Sequence, residues 1–199
     1  MTDQGAAARR RTSTARDLLY EAAAALFVER GFEDTTMADI AERAGTSRRT
    51  AFNHFPSKGD IPMLWARRMA DRAVELINDS AELDAPERIS GYFRQISQLV
   101  EAEPELSRQM MLGWTAAIGP IRYESQFIVD LTPLLRAGQA QEQVDPTIDV
   151  AEAARTLADV YMGVVFRWVR DRDQDASQTL EAVADGGIGL VLSAIRPHA

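Results

Sequence analysis

Apolar residues in this chain recur three and four positions apart, and alternating β-type segments are nearly absent. The first stripe is Leu19, Ala23, Leu26, Phe27 and Arg30, at i, i+4, i+7, i+8 and i+11, and it predicts a helix over residues 14–30 with one buried face. Thr14 and Asp17 form a capping box ahead of it, each side chain satisfying an orphan backbone N–H, and Gly31 offers the left-handed residue that ends it. A second box, Thr36 with Asp39, opens a helix of only two turns that Ala44-Gly45 closes. Ser47 caps a third short helix, residues 48–55, stopped by Pro56. A third box, Ser57 with Asp60, launches a long helix towards residue 80, and Pro62 in its first turns predicts a bend or a late start.

Breakers divide the rest of the chain in the same way. Asp84-Ala-Pro86 precedes a helix carrying Ile89, Phe93, Ile96 and Val100, and Pro104 separates it from one over residues 106–114. Gly119-Pro120 precedes a helix reaching about residue 139, and residues 138–146 read as a loop. Asp149 with Glu152 starts a long helix to about residue 172, and a last one spans roughly residues 177–195. The predicted class is all-α, with about nine helices. Its expected divisions are a disordered basic arm (1–13), a three-helix head (14–58) and a larger helical body (59–199).

Residues 37–55 have the layout of a helix-turn-helix. Met37, Ile40, Ala41, Ala44, Ala51, Phe52 and Phe55 are expected on its inner side, with Ala41 the small contact residue and Gly45 at the turn, where φ > 0 is needed. That leaves Arg48, Arg49, Thr50, Asn53 and His54 facing outward. Arginine is the commonest bidentate reader of guanine, asparagine reads adenine, and threonine can bond a phosphate or touch a thymine methyl. Two short helices about a Gly turn also occur in many folds that never meet DNA, and exposed arginines are commonly just solvated. The turn alone leaves both readings open.

Charge moves the balance. The net charge of −8 looks unsuited to a nucleic-acid partner, yet residues 1–58 hold nine basic against eight acidic residues, while residues 59–199 hold thirteen against twenty-two. Screening confines phosphate attraction to roughly 8–10 Å in physiological salt, so a locally basic end on an acidic body is compatible with DNA binding. The basic groups near that end include Arg9, Arg10, Arg11, Arg16, Arg48, Arg49 and Lys58.

From Leu19 to Lys58 the chain resembles the DNA-binding domain of TetR/AcrR-type repressors. The resemblance rests on Phe27, Gly31-Phe32, Thr35-Thr36, Asp39-Ile40-Ala41, Ala44-Gly45, Ser47, Phe52, His54-Phe55 and Ser57-Lys58. It implies that Arg48, Arg49, Thr50, Asn53 and His54 face DNA, that Lys58 and the Arg9, Arg10, Arg11 arm hold phosphates or the minor groove, and that Thr36 adds a phosphate contact to its capping role. For Lys58 a solvated capping lysine is the competing reading. The family commonly has tyrosine where Phe52 stands, with a phenol that meets a phosphate, so that contact is absent or replaced here. Members reading Arg-Thr-x-Phe-Asn-x-Phe, as residues 49–55 do, include some that resemble acyl-CoA-responsive regulators.

The resemblance further implies that the body encloses a pocket for a small, largely apolar inducer and that its last two helices form a homodimer interface. Methionines and aromatics concentrate after residue 60, and a plain helical core explains them as readily as a pocket does. Candidate lining residues are Trp65, Met69, Phe93, Met110, Trp114, Phe127 and Tyr161; candidate dimer residues are Val164, Trp168, Val183, Gly187 and Val191. Gly186, Gly187 and Gly189 cost about 1 kcal/mol each inside a helix, which either a close helix–helix approach offsets or a helix break explains.

Enzymatic chemistry finds little footing. The chain has no cysteine, two histidines, no phosphate loop, no nucleophile elbow and no metal-spaced cluster, so neither a catalytic site nor a cofactor or metal is expected. No apolar stretch approaches membrane-spanning length, and a cytoplasmic location is expected. The expected partners are a palindromic double-stranded operator, a second copy of the chain and a small-molecule inducer. A ligand-independent helical DNA binder is the alternative, which a fully packed body would favour.

Overall fold

Side-chain caps mark where most helices of this chain begin. Thr14 precedes α1 (Ala15–Arg30), where Thr14 Oγ1 accepts the Asp17 N–H at 3.2 Å and the Asp17 carboxylate accepts the Thr14 N–H at 3.2 Å. The same reciprocal pair, Thr36 with Asp39, opens α2 (Met37–Arg43), and Ser47 caps α3 (Arg48–His54) by accepting the Thr50 N–H at 3.1 Å. The third expected box is only half made. The Asp60 carboxylate accepts from the Ser57 N–H and hydroxyl at 2.6 and 3.0 Å, but the Asp60 N–H returns to the Ser57 carbonyl at 3.2 Å in a tight turn. α4 (Asp60–Asn78) starts at Asp60, so Pro62 falls within its first turn, where an N–H has no intrahelical acceptor; no late start follows.

The remaining helices are α5 (Ala85–Ala102), α6 (Pro104–Ala117), α7 (Gln126–Ala140), α8 (Val150–Asp171) and α9 (Leu180–Ala194). The computed structural model describes residues 14–78, 82–117, 125–171 and 178–197, and among these the fold is all-α with nine helices. The expected arm with Arg9, Arg10 and Arg11 and the Gly119-Pro120 break lie outside the described residues. Pro86 lies within α5, which Asp84 caps in a box with Glu87, and Pro104 is the first residue of α6 rather than a spacer before it. α7 extends through Gly138 to Ala140, past the expected loop boundary, and stays helical across Pro133 with Leu131 and Leu135 fully buried on either side. Thr179 caps α9, which runs unbroken through its three glycines.

Leu19, Ala23, Leu26 and Phe27 of α1 bury against Ile40 and Ala41 of α2 and Ala51 of α3, each large side chain contributing about 1.5–3 kcal/mol of apolar transfer. Arg30 leaves the expected stripe. It is exposed and pairs with Asp39 at 2.7 Å, because burying a guanidinium is costly and the carboxylate at the start of α2 is within its reach. Behind these three helices α5 packs on α4, α7 and α9, α8 packs on α7 and α9, and α6 touches both α1 and α4.

Candidate nucleic-acid interface and its link to an internal cavity

α3 is held by one inward stripe. Ala51 and Phe55, four apart, are fully buried, and Gly45 (φ 65°) turns the chain between α2 and α3 while the Thr46 N–H reaches the Ala41 carbonyl at 2.9 Å. Arg48, Arg49, Asn53 and His54 are exposed, and among the described residues none of their side chains makes a hydrogen bond or ion pair. Thr50 is half-buried, its hydroxyl 2.9 Å from that of Ser47. Thr36 is exposed, with its hydroxyl donating to the Asp39 carboxylate at 2.6 Å.

Phe52 is a correction: it is 49% exposed, not on the inner side. A seven-residue helix presents one buried stripe, and Phe52 lies about 100° from Ala51 around the axis. Lys58 is placed differently from a phosphate clamp as well. Its ammonium donates to the Phe32 and Glu33 carbonyls at 2.5 and 3.1 Å and sits 4.1 Å from the centre of the Phe32 ring. That partial burial lowers its pKa from the usual lysine value, with Glu33 and Asp34 opposing the shift. It clamps the loop between α1 and α2, a role that neither sequence reading assigned.

Phe32 is also the point where α6 meets this unit. Its N–H donates to Gln109 Oε1 at 2.9 Å, its ring packs 5.1 Å from that of Phe27, and a methyl added at Gly113 would overlap the ring. One turn further along α6, Ala117 abuts Gly59 so closely that a side chain at Gly59 has no room. At the other end of the unit the Arg68 guanidinium of α4 donates to Asp17 at 2.7 Å and lies 4.3 Å from the Tyr20 ring. Hydrogen bonds from Thr14 and then from Arg68 hold the Asp17 carboxyl below its usual range.

The opposite face of α6 borders a cavity of about 50 Å³ between α4, α5, α6, α7 and α8. Trp65, Met69, Trp114, Phe127 and Tyr161 line it, together with Met111, Met162 and Val165. Phe93 and Met110 do not. Both are buried behind the wall, Phe93 with its ring 4.7 Å from that of Tyr161 and 5.8 Å from that of Phe127. The Tyr161 hydroxyl lies 3.2 Å from that of Ser97, and burial raises its pKa well above the usual tyrosine value. The wall is otherwise apolar apart from Gln126, which donates to Asp130 at 3.0 Å.

Val164 and Trp168 are corrected too. Both are buried within their own chain, facing the core rather than a partner, because α8 carries an apolar face broad enough for α7 and α9 together. Val183, Gly187 and Val191 are half-buried at the rim of α9. A methyl on Gly187 would come 3.1 Å from Val160 Cγ1, so this glycine serves the α8–α9 approach. Gly186 and Gly189 meet nothing, and Leu190 beside them is 74% exposed.

The model of the tetR family of bacterial regulatory proteins matches residues 19–61. The HTH-type transcriptional repressor KstR of Rhodococcus jostii is 25% identical over 172 residues, covering 85% of this chain and 81% of that protein. KstR2 of Mycobacterium tuberculosis, also a repressor of this type, is 34% identical over 88 residues, 43% of this chain and 44% of its own length. Among solved structures, Thermus thermophilus FadR, a TetR-family repressor in complex with lauroyl-CoA, superposes with a TM-score of 0.74 at 23% identity, over 92% of this chain and 96% of that one. FadR of Bacillus subtilis in complex with stearoyl-CoA gives 0.65 at 17% identity, over 90% and 98%.

Proposed function

We propose that the chain, whose residues 19–61 match the model of the tetR family of bacterial regulatory proteins, is a homodimeric, cytoplasmic repressor of that family that reads a palindromic operator with α3 and is released by a small apolar ligand. The observation that carries this is the outward face of α3: Arg48, Arg49, Asn53 and His54 stand exposed and unpaired on a helix anchored by Ala51 and Phe55. Residues 14–58 are the reading head and residues 59–199 the ligand-binding and dimerisation body. Two copies of α3 enter successive major grooves about 34–36 Å apart. Thr36 and the Arg9–Arg11 arm add phosphate contacts, while Lys58 acts through the loop it clamps.

The second copy packs on the α8–α9 face, where Val183, Leu190 and Val191 offer apolar side chains beside Gly186 and Gly189, glycines that nothing within the chain requires. The inducer enters the cavity bordered by Trp65, Met69, Trp114, Phe127 and Tyr161. Its apolar walls, and the acyl-CoA complexes of the two structural neighbours, support an acyl-CoA whose chain occupies it. A cavity of about 50 Å³ is too small for such a chain, so entry must displace flexible side chains such as Met69, Met111 and Met162. Met111 and Trp114 sit on α6, whose other face grips Phe32, so displacement of α6 reaches the head.

The test is direct. Sequencing the duplexes retained by the purified protein identifies the operator, and Arg48→Ala or Arg49→Ala is expected to weaken binding tenfold or more, from about 1–3 kcal/mol per guanine contact. Unchanged affinity in both variants defeats the recognition-helix reading. Lauroyl-CoA is expected to raise the melting temperature and release the operator; release by no acyl-CoA of any chain length leaves the ligand-independent reading.

A further inference from the structure

Phe52 is not part of the core that anchors α3 in the head. The buried stripe of α3 is complete with Ala51 and Phe55, each fully buried, while about half of the Phe52 surface is open to water. The ring stands three residues from Arg49, four from Arg48 and next to Asn53, on the flank shared with the side chains that α3 turns outward. A phenyl ring can neither donate nor accept a conventional hydrogen bond, so it has nothing to offer a phosphate oxygen or the polar edge of a base. The major groove presents one strongly apolar feature, the C5-methyl group of thymine, and cytosine lacks it. An exposed ring placed between groove-reading arginines and an asparagine matches that feature in both chemistry and location.

Resting on the reading of α3 as the recognition helix, we infer that Phe52 is a specificity-determining residue that packs its ring on a thymine methyl at one position of each operator half-site. It rejects cytosine there by leaving the ring without an apolar partner. The two polar neighbours set the ring's register: once Arg49 and Asn53 engage base edges, a side chain between them in height along the helix lies against an adjacent base step. The preference therefore belongs to a thymine flanking the bases that Arg49 and Asn53 read, and it appears twice, once per half-site.

Deoxyuridine separates this contact from every other, since it pairs as thymine does and differs only in lacking the methyl. The full-length protein is titrated onto a fluorescent operator duplex at fixed salt, with each symmetry-related thymine pair replaced in turn by deoxyuridine. One pair is expected to cost the wild-type protein about fifteenfold, at about fourfold for each of its two methyl groups. Phe52→Ala is expected to bind the thymine operator about fifteenfold more weakly and to be indifferent to deoxyuridine at that pair, whereas Phe52→Leu keeps the preference. Helix content and melting temperature of both variants should match the wild type, because the ring is outside the core. Indifference of the wild type to deoxyuridine at every position overturns the inference, and that result needs no variant. So does a full deoxyuridine penalty retained by Phe52→Ala, or weaker binding by that variant with no methyl coupling, which places the ring on the sugar–phosphate backbone. Each of these leaves α3 as the reading helix. Failure of the wild type to retain any duplex removes both readings together.

Discussion

Asp39 couples the head to pH. Its carboxylate accepts the Thr36 hydroxyl and N–H and faces Arg30 at 2.7 Å, and the Thr36 hydrogen bonds lead in holding its pKa below the usual aspartate value. A carboxyl with a depressed folded-state pKa contributes stability above its unfolded pKa and loses it as pH falls through the folded one. Asp39→Asn is therefore expected to lower the melting temperature at neutral pH and to flatten its decline in acid, checked by thermal scans from pH 7 to pH 3. An equal acid decline in both proteins would show that the cap is not titrating. Tyr161 acts on stability without titrating. Replacing it with phenylalanine leaves the Ser97 hydroxyl buried without its 3.2 Å partner, at a cost of about 1–3 kcal/mol. A lower denaturant midpoint with an unchanged m-value is the expected result.

At the scale of elements, α6 is a lever with two faces. Met111 and Trp114 border the cavity, and Gln109 and Gly113 hold Phe32 from the other side. In Gly113→Ala the new methyl collides with a ring already confined by Phe27 and the Lys58 ammonium, so the joint must open. Overpacking of this kind costs about 1–3 kcal/mol. The expected outcome is a lower melting temperature and weaker operator binding with unchanged acyl-CoA affinity, measured by anisotropy and calorimetry. Intact release by ligand in this variant would place the coupling elsewhere. α9 poses the opposite case. Alanine at Gly186 or Gly189 meets no atom of its own chain and favours the helix by about 1 kcal/mol. Each substitution is expected to stabilise the single chain yet weaken the dimer, which sedimentation at a series of concentrations would register. A dimer unaffected by both variants would move the interface off this face.

Over the whole molecule, charge is segregated rather than balanced. A body with thirteen basic and twenty-two acidic residues carries an N-terminal part, arm and head together, of nine and eight, so the attraction to phosphate is short-ranged and local. Replacing Arg9, Arg10 and Arg11 by alanine is expected to reduce the slope of log affinity against log salt by about 0.9 for each phosphate that the arm no longer neutralises, with little change in sequence preference. An unchanged slope would take the arm off the DNA.

What the sequence determined alone is whatever is decided within one turn of chain. Thr14 with Asp17, Thr36 with Asp39 and Ser47 mark real boundaries because a cap and the N–H it accepts are three residues apart, Gly45 does so through its positive φ, and the fold class follows from the three- and four-residue spacing. The exposed Arg48, Arg49, Asn53 and His54 were legible for the same reason, and so were five of the seven proposed cavity residues, since large apolar side chains between several helices border whatever space those helices leave. Tertiary structure decided which neighbour each face meets. Val164 and Trp168 turned inward because α8 is claimed on two sides; Phe93 and Met110 went behind the wall; Phe52 came out because Ala51 and Phe55 had already closed the stripe. Lys58, Gln109 and Gly113 meet at Phe32 across as many as 81 positions of chain, and no local spacing encodes a meeting made only when distant helices close on one ring.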